Sequence, residues 1–220
     1  MKYILVLIVL ISNSIYSQNL NKEFEGVITY KTTIVLTKKG FNFNIDSLYK
    51  EFGKETLYYF KAGKFKWVPL NANLEYEIFN PQISTSSIYK LPSSDTLFYM
   101  DLNKSTDTVT SVKKSKKRTI LNIPCNSAIF TVTDENIPAF KMFRTYYYPT
   151  DSLKYANAYF DNHKANGQGF IERYTHSIPL RMELNGKGLP ITIIYEATRI
   201  QWKELADSEF LVDEKLPVKK

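Results

Sequence analysis

The side chains best suited by type to nucleophilic or metal chemistry are a single cysteine, Cys125, and two histidines, His163 and His176. Their spacing does not organise them. One Cys and two distant His residues make no zinc-ligand pattern, and the sequence places no Ser or Cys partner beside either imidazole. There is no Gly-x-Ser-x-Gly elbow and no glycine loop that would cradle a phosphate. Paired acids of the kind that cleave glycosides assemble only in the fold, and no pair stands out here. Most carboxylates alternate with lysines on faces expected to be wet, which is how a solvated surface reads. The expectation is a non-catalytic protein with no cofactor and no metal site. A lone cysteine forms no internal disulfide, so the core must hold the fold. Cys125 reads as a buried, inert thiol, because no neighbour in sequence would lower its pKa.

One charge cluster stands apart. Lys113, Lys114, Lys116, Lys117 and Arg118 place five positive charges in six residues, in a chain of net charge +7. Such a run could meet anionic lipid, polysaccharide or nucleic acid, or could simply be a solvated hairpin tip. No aromatic residue is interleaved with it, so a nucleic-acid partner is not expected.

The N-terminus bears on compartment. Lys2 precedes an unbroken apolar run from Tyr3 to Ile11, nine residues long. That is short of the roughly 20 residues a membrane span needs, and it fits the core of a secretory signal. Cleavage is expected after Ser17, so residues 1–17 read as a signal peptide and 18–220 as one β-rich domain. The expected product is periplasmic or extracellular. It is not lipid-anchored, since no cysteine lies near the cleavage site, and not membrane-spanning.

The elements that would position any site are mostly strands. Residues 23–36 alternate, with Phe24, Ile28, Tyr30, Ile34 and Leu36 on one face; Gly26 lies where a bulge would be tolerated. In 44–52 the period changes: Ile45, Leu48, Tyr49 and Phe52 fall on one helical stripe, with Asn44 as cap and Gly53 as stop. Strands are expected at 56–60 and 64–68 around a Lys-Ala-Gly-Lys turn, with Phe65 and Trp67 opposite Lys64 and Lys66. The next strand should carry Leu74, Tyr76 and Ile78, turning Glu75 and Glu77 to the wet face beside those lysines. Residues 80–94 read as a long loop and 96–102 as a strand. Strands at 119–123 and 127–133 flank Pro124-Cys125-Asn126, and 140–148 is apolar on both faces, as a central or cavity-lining strand would be. A helix is expected from Asp151 to about His163, then a turn at 166–169. A final hairpin turns at Gly186-Lys187-Gly188, and the tail, 206–218, should pack along an edge. Roughly ten strands joined by tight turns make an antiparallel meander that curls or closes.

The order of several short segments resembles a known family. A signal ending in Ser-Gln is followed by Phe24-Glu25-Gly26-Val27-Ile28-Thr29-Tyr30. Then come Ile123-Pro124-Cys125, Phe143-Arg144-Thr145-Tyr146-Tyr147-Tyr148, Ile178-Pro179-Leu180-Arg181-Met182-Glu183-Leu184, and Asp207-Ser208-Glu209-Phe210. This resembles the exported GLPGLI-related proteins of the Bacteroidota, grouped with the LolA/LolB-like lipoprotein carriers. Gly188-Leu189-Pro190-Ile191 is the nearest match to the name-giving signature. The resemblance implies a mainly β fold, an incomplete antiparallel β-barrel or half-pipe with short helices covering its concave face. It also implies a binding protein with an apolar concavity for a lipid, an acyl chain or a lipoprotein. Phe65, Trp67, Tyr146 and Tyr148 are the candidate lining residues. The competing expectation is a cell-envelope interaction or structural module that meets other envelope proteins through a sheet edge or the basic 113–118 tip.

Overall fold

A computed structural model describes residues 23–219, apart from 39, 42, 83–85 and 162; the expected signal peptide lies outside the described residues. The chain forms β1 (Gly26–Leu36), α1 (Ile45–Phe52), β2 (Glu55–Lys61), β3 (Lys64–Leu70), β4 (Tyr76–Phe79), β5 (Ser86–Lys90) and β6 (Leu97–Asp101). There follow β7 (Asp107–Lys114), β8 (Arg118–Ile120), β9 (Ile123–Asp134), β10 (Ile137–Pro149), α2 (Gln168–Thr175), β11 (Arg181–Gly186), β12 (Ile191–Trp202) and β13 (Val218–Lys219). All the strands belong to one sheet in the order β13-β6-β5-β4-β3-β2-β1-β12-β11-β10-β9-β7, with β8 also on β9.

Two meanders meet at the β1–β12 pair, which runs from Gly26↔Trp202 to Leu36↔Ile191. β6 and β7 lie near opposite edges of this sheet, yet only residues 102–106 connect them. Six extended steps reach about 20 Å. The sheet must therefore curl until its edges nearly meet without pairing. The result is a mainly β, incomplete antiparallel barrel.

The segment 150–180, between β10 and β11, lies across the concave face. Its side chains Leu153, Tyr155, Phe160, Ile171 and Ile178 are buried. Phe160 stacks on Phe79 at 5.9 Å, and Phe130 meets Tyr174 edge-on at 5.3 Å. Each such buried side chain contributes about 1.5–3 kcal/mol. Backbone bonds from Lys164 N to Leu102 O (3.1 Å) and from Phe24 N to Lys154 O (2.9 Å) tie this cover to the seam and to the start of β1. On the convex side, a 3-10 turn at Asp207–Phe210 buries Phe210 against Val27, Ile78 and Leu205. Its acids face the β3 lysines: Lys64 to Asp207 is 2.9 Å and Lys66 to Glu209 is 3.6 Å.

Several sequence expectations are corrected. Residues 80–94 are not all loop: β5 runs through them, with Ser86 and Ser87 buried. The chain does not break at Pro124-Cys125-Asn126. β9 is continuous there, and the turn lies two residues earlier, at Leu121 and Asn122, whose positive φ values of 50° and 62° suit a two-residue hairpin. The basic run is accordingly no hairpin tip. Lys113 and Lys114 close β7 and Arg118 opens β8, both beside β9, so the charges line an exposed sheet edge. Lysines there oppose edge-to-edge pairing with another chain. The helix expected from Asp151 is replaced by 3-10 turns at Asn157–Phe160 and Ala165–Gly167, and the α-helix comes later as α2. Gly167 explains the shift. Its φ of 67° favours glycine, and a Cβ there would lie 2.7 Å from Val109 Cγ2. α1 spans its expected residues, with Asn44 accepting from Ser47 N at 3.2 Å. The tail reaches the edge through β13, parallel to β6.

Candidate functional site

Between the concave face and its cover lies a cavity of about 270 Å³. Alternation along the strands selects its walls. Tyr30 comes from β1, Tyr58 from β2, Phe65 and Trp67 from β3, and Tyr195 from β12. These rings touch in series: Tyr30–Trp67 at 5.8 Å, Tyr58–Trp67 at 5.9 Å and Trp67–Tyr195 at 5.2 Å. Met182 and Leu184 of β11 and Ile178 of the cover complete the apolar part.

The remainder is polar. Arg144 and Tyr146 project from β10, and Gln168 and Glu172 from the first and second turns of α2. The Gln168 amide is held in one orientation. Its Oε1 accepts from Arg144 Nη1 and from the Tyr146 hydroxyl, both at 3.2 Å, while its Nε2 donates to Glu172 Oε1 at 2.8 Å. Glu172 is 8% exposed, and its Oε2 has no hydrogen-bond partner. Burial pushes its carboxyl up to about 8, against the opposing pull of the Gln168 bond and the Arg144 charge.

Two further ionisable groups line the space. His163 is stacked among Phe65, Phe79 and Phe160, and burial lowers its imidazole to about 4, with Arg144 adding to the effect. Its Nδ1 has no partner. Glu77 lies opposite Trp67 in the β3–β4 register, so it faces the cavity rather than the wet side, and burial raises its carboxyl. Of the two glutamates expected beside the β3 lysines, Glu75 instead pairs with Lys90. The phenols of Tyr30, Tyr58, Tyr146, Tyr155 and Tyr195 are all raised by burial and stay neutral.

Of the four lining candidates, Phe65, Trp67 and Tyr146 line the cavity. Tyr148 is not among its walls; it packs two residues further along β10 with the cluster of Phe130, Ile171 and Tyr174. Sequence reasoning missed Tyr30, Tyr58, Tyr195, Glu77, Arg144, Gln168 and Glu172. Two signals were present. Arg144 is the one charge on the Met142-Arg144-Tyr146-Tyr148 face of β10, and Gln168 and Glu172 are spaced i,i+4 on a helix.

Cys125 lies apart, on β9. It is 2% exposed, and burial pushes its thiol up to about 11. Among the described residues no three His, Cys, Asp or Glu side chains gather closely enough to hold a metal, and no helix is long and apolar enough to cross a membrane.

No protein family's sequence profile matches this chain, and no curated protein matches it. Among solved structures it is similar to an uncharacterized conserved protein from Thermus thermophilus, with 9% identity and a TM-score of 0.46 over 94% of this chain and 98% of that one. It is also similar to a DUF1329 family protein from Desulfovibrio piger, with 11% identity and a TM-score of 0.37 over 87% of this chain and 91% of that one. Both likenesses are weak, and the chemistry of the site is read from its own residues.

Proposed function

We propose that this chain is an exported, non-catalytic binding protein of the LolA/LolB-like kind, and that it takes one acyl chain or an apolar ligand of similar girth into the cavity under its cover. The observation that carries this reading is the cavity itself. The fold leaves about 270 Å³ open against Tyr30, Tyr58, Phe65, Trp67 and Tyr195. Protein interiors pack as tightly as organic crystals, so a void of that size among aromatic rings is a feature to be explained by an occupant. Ligand pockets start at roughly 300 Å³. A space just under that suits a single chain better than a two-chain lipid. The binding energy would come from burying the chain against the rings, at about 25 cal/mol per Å² before ordering costs. Export follows the apolar N-terminal run described above. The competing reading, an envelope module acting through the sheet edge, is opposed by the lysines on β7, which discourage strand addition.

Trp67 gives a direct test, because it forms part of the wall. Titration of the mature protein with decanoic acid and with methyl decanoate is expected to change tryptophan emission saturably, with one-to-one stoichiometry for at least one of them. Trp67→Phe should abolish the signal and leave binding measurable by calorimetry. If neither compound gives a saturable signal, and neither heat nor a mass adduct appears, the cavity is not a site for such ligands.

A further inference from the structure

The polar end of the cavity narrows the ligand's chemistry beyond the proposed function, on which this inference rests. A purely aliphatic occupant would leave the open Oε2 of Glu172 and Nδ1 of His163 facing hydrocarbon, at the desolvation cost that buried polar groups incur when unmatched. We propose that the ligand carries a carboxylic acid head, received by the Arg144 guanidinium and by the open Oε2 of Glu172 at the two ends of the Arg144–Gln168–Glu172 chain, with its apolar part along Tyr58, Trp67 and Tyr195.

Three observations support this assignment. First, the geometry is fixed in advance. Gln168 spends its oxygen on Arg144 and Tyr146 and its nitrogen on Glu172, so its amide cannot turn, and Glu172 is left with one oxygen engaged and one open. Second, Arg144 is the only lysine or arginine among the described residues that line the cavity, and a guanidinium is always ionised. A carboxylate can meet it through charge-assisted hydrogen bonds, which are the strong ones. Third, Glu172 does not compete for that charge at neutral pH. Glu172 and Glu77 are both held toward the neutral form by burial, and His163 is held neutral as well. A protonated Glu172 is a donor, which suits a ligand acceptor. An amine of the same length would be placed against a permanent cation.

The same arrangement makes affinity depend on pH with a definite sign. The groups facing Glu172 are Arg144 and Tyr146 from β10, Tyr58 from β2, Tyr155 from the cover and Gln168 from its own helix, with His163 and Glu77 across the cavity. The phenols stay neutral, and Glu172 changes its charge near pH 8. Once ionised it repels a carboxylate and attracts an ammonium.

The test compares decanoic acid, methyl decanoate and decylamine on the wild-type protein by calorimetry, between about pH 6 and about pH 9. The acid is expected to bind at least tenfold more tightly than the ester at the lower pH, and to lose roughly tenfold or more in affinity at the higher. The ester should show no such dependence. Arg144→Met should remove the acid's advantage over the ester at the lower pH, and a cooperative urea-unfolding transition checks separately that the variant is folded. Glu172→Gln should remove most of the pH dependence near pH 8. If the ester binds as tightly as the acid, or the amine binds more tightly, the head-group assignment is overturned while the cavity reading stands. If none of the three binds, both fall.

Discussion

Glu172→Gln is expected to flatten the loss of stability that the wild-type protein suffers as the medium turns mildly alkaline. In the unfolded chain this carboxyl ionises near its ordinary value of 4.5, and in the fold only near 8. Between those values unfolding releases a proton, so each unit of rising pH favours the unfolded state by about 1.4 kcal/mol. The stability this group lends is full below 4.5 and lost by 8. His163 acts with the opposite sign in a lower window. Its imidazole takes a proton near 6.5 when unfolded but near 4 in the fold, so stability falls as pH drops from 6.5 toward 4. The two effects oppose each other below 6.5. Above it Glu172 acts without that opposition, and the wild type should lose about 2 kcal/mol between pH 6.5 and 8. Glu77 adds in the same direction. Glutamine keeps the acceptor that Gln168 Nε2 uses and has no proton to lose. Urea unfolding at the two ends of that window should show the variant losing about 2 kcal/mol less than the wild type. Parallel profiles would mean that Glu172 ionises normally in the fold.

Gly26→Ala should be the most damaging small substitution in the sheet. A Cβ at this position would lie 2.0 Å from the carbonyl oxygen of Gln201 and 3.0 Å from its carbon, both backbone atoms of the paired strand. Gly26 sits between Phe60 of β2 and Trp202 of β12, where the two meanders join, so neither neighbour can retreat without breaking pairing. The expected loss is about 3–5 kcal/mol, at the upper end for a single substitution. Gly188→Ala is the control: its φ is also positive, at 85°, but nothing stands within 4 Å of a Cβ there. It should cost about 1 kcal/mol, the backbone term alone. Equal melting temperatures for the two variants would contradict the close approach.

Gly26 also shows what a single sequence conceals. Its place in an alternating strand reads as tolerance for a bulge, yet the register shifts at Thr29/Tyr30 instead, and Gly26 is needed because another backbone passes so near. Strands with a clear dry face, such as β1, β3 and β12, were legible because alternation is local. β5 and β7 were not. Ser86-Ser87 and Asp107-Thr108-Val109-Thr110 have little apolar contrast and become strands only by pairing with β6 and β9. α2 was displaced for a similar reason: its start depends on Gly167 fitting against Val109 across the seam.

The site was half legible. Aromatic residues on strand faces pointed to Phe65, Trp67 and Tyr146, and the same logic extended too far, to Tyr148, because periodicity fixes a face and not how far along the strand a cavity reaches. The polar chain could not be assembled from sequence, since Arg144 and Glu172 come together only when the cover folds back over β10. Nor could Glu77 be placed inward: its neighbour Ile78 packs on the convex side against Phe210 and Leu205, which turns Glu77 and Phe79 to the concave face beside Trp67 and Phe65.

The cavity under the cover is expected to hold a ligand in the cell. The most direct measurement is native mass spectrometry of the mature protein, purified gently from the cell that exports it, with lipid extraction of the same sample. A defined added mass is expected on the folded protein, extractable as a single-chain carboxylic acid. A clean apo mass that takes up neither added decanoic acid nor phospholipid would contradict it.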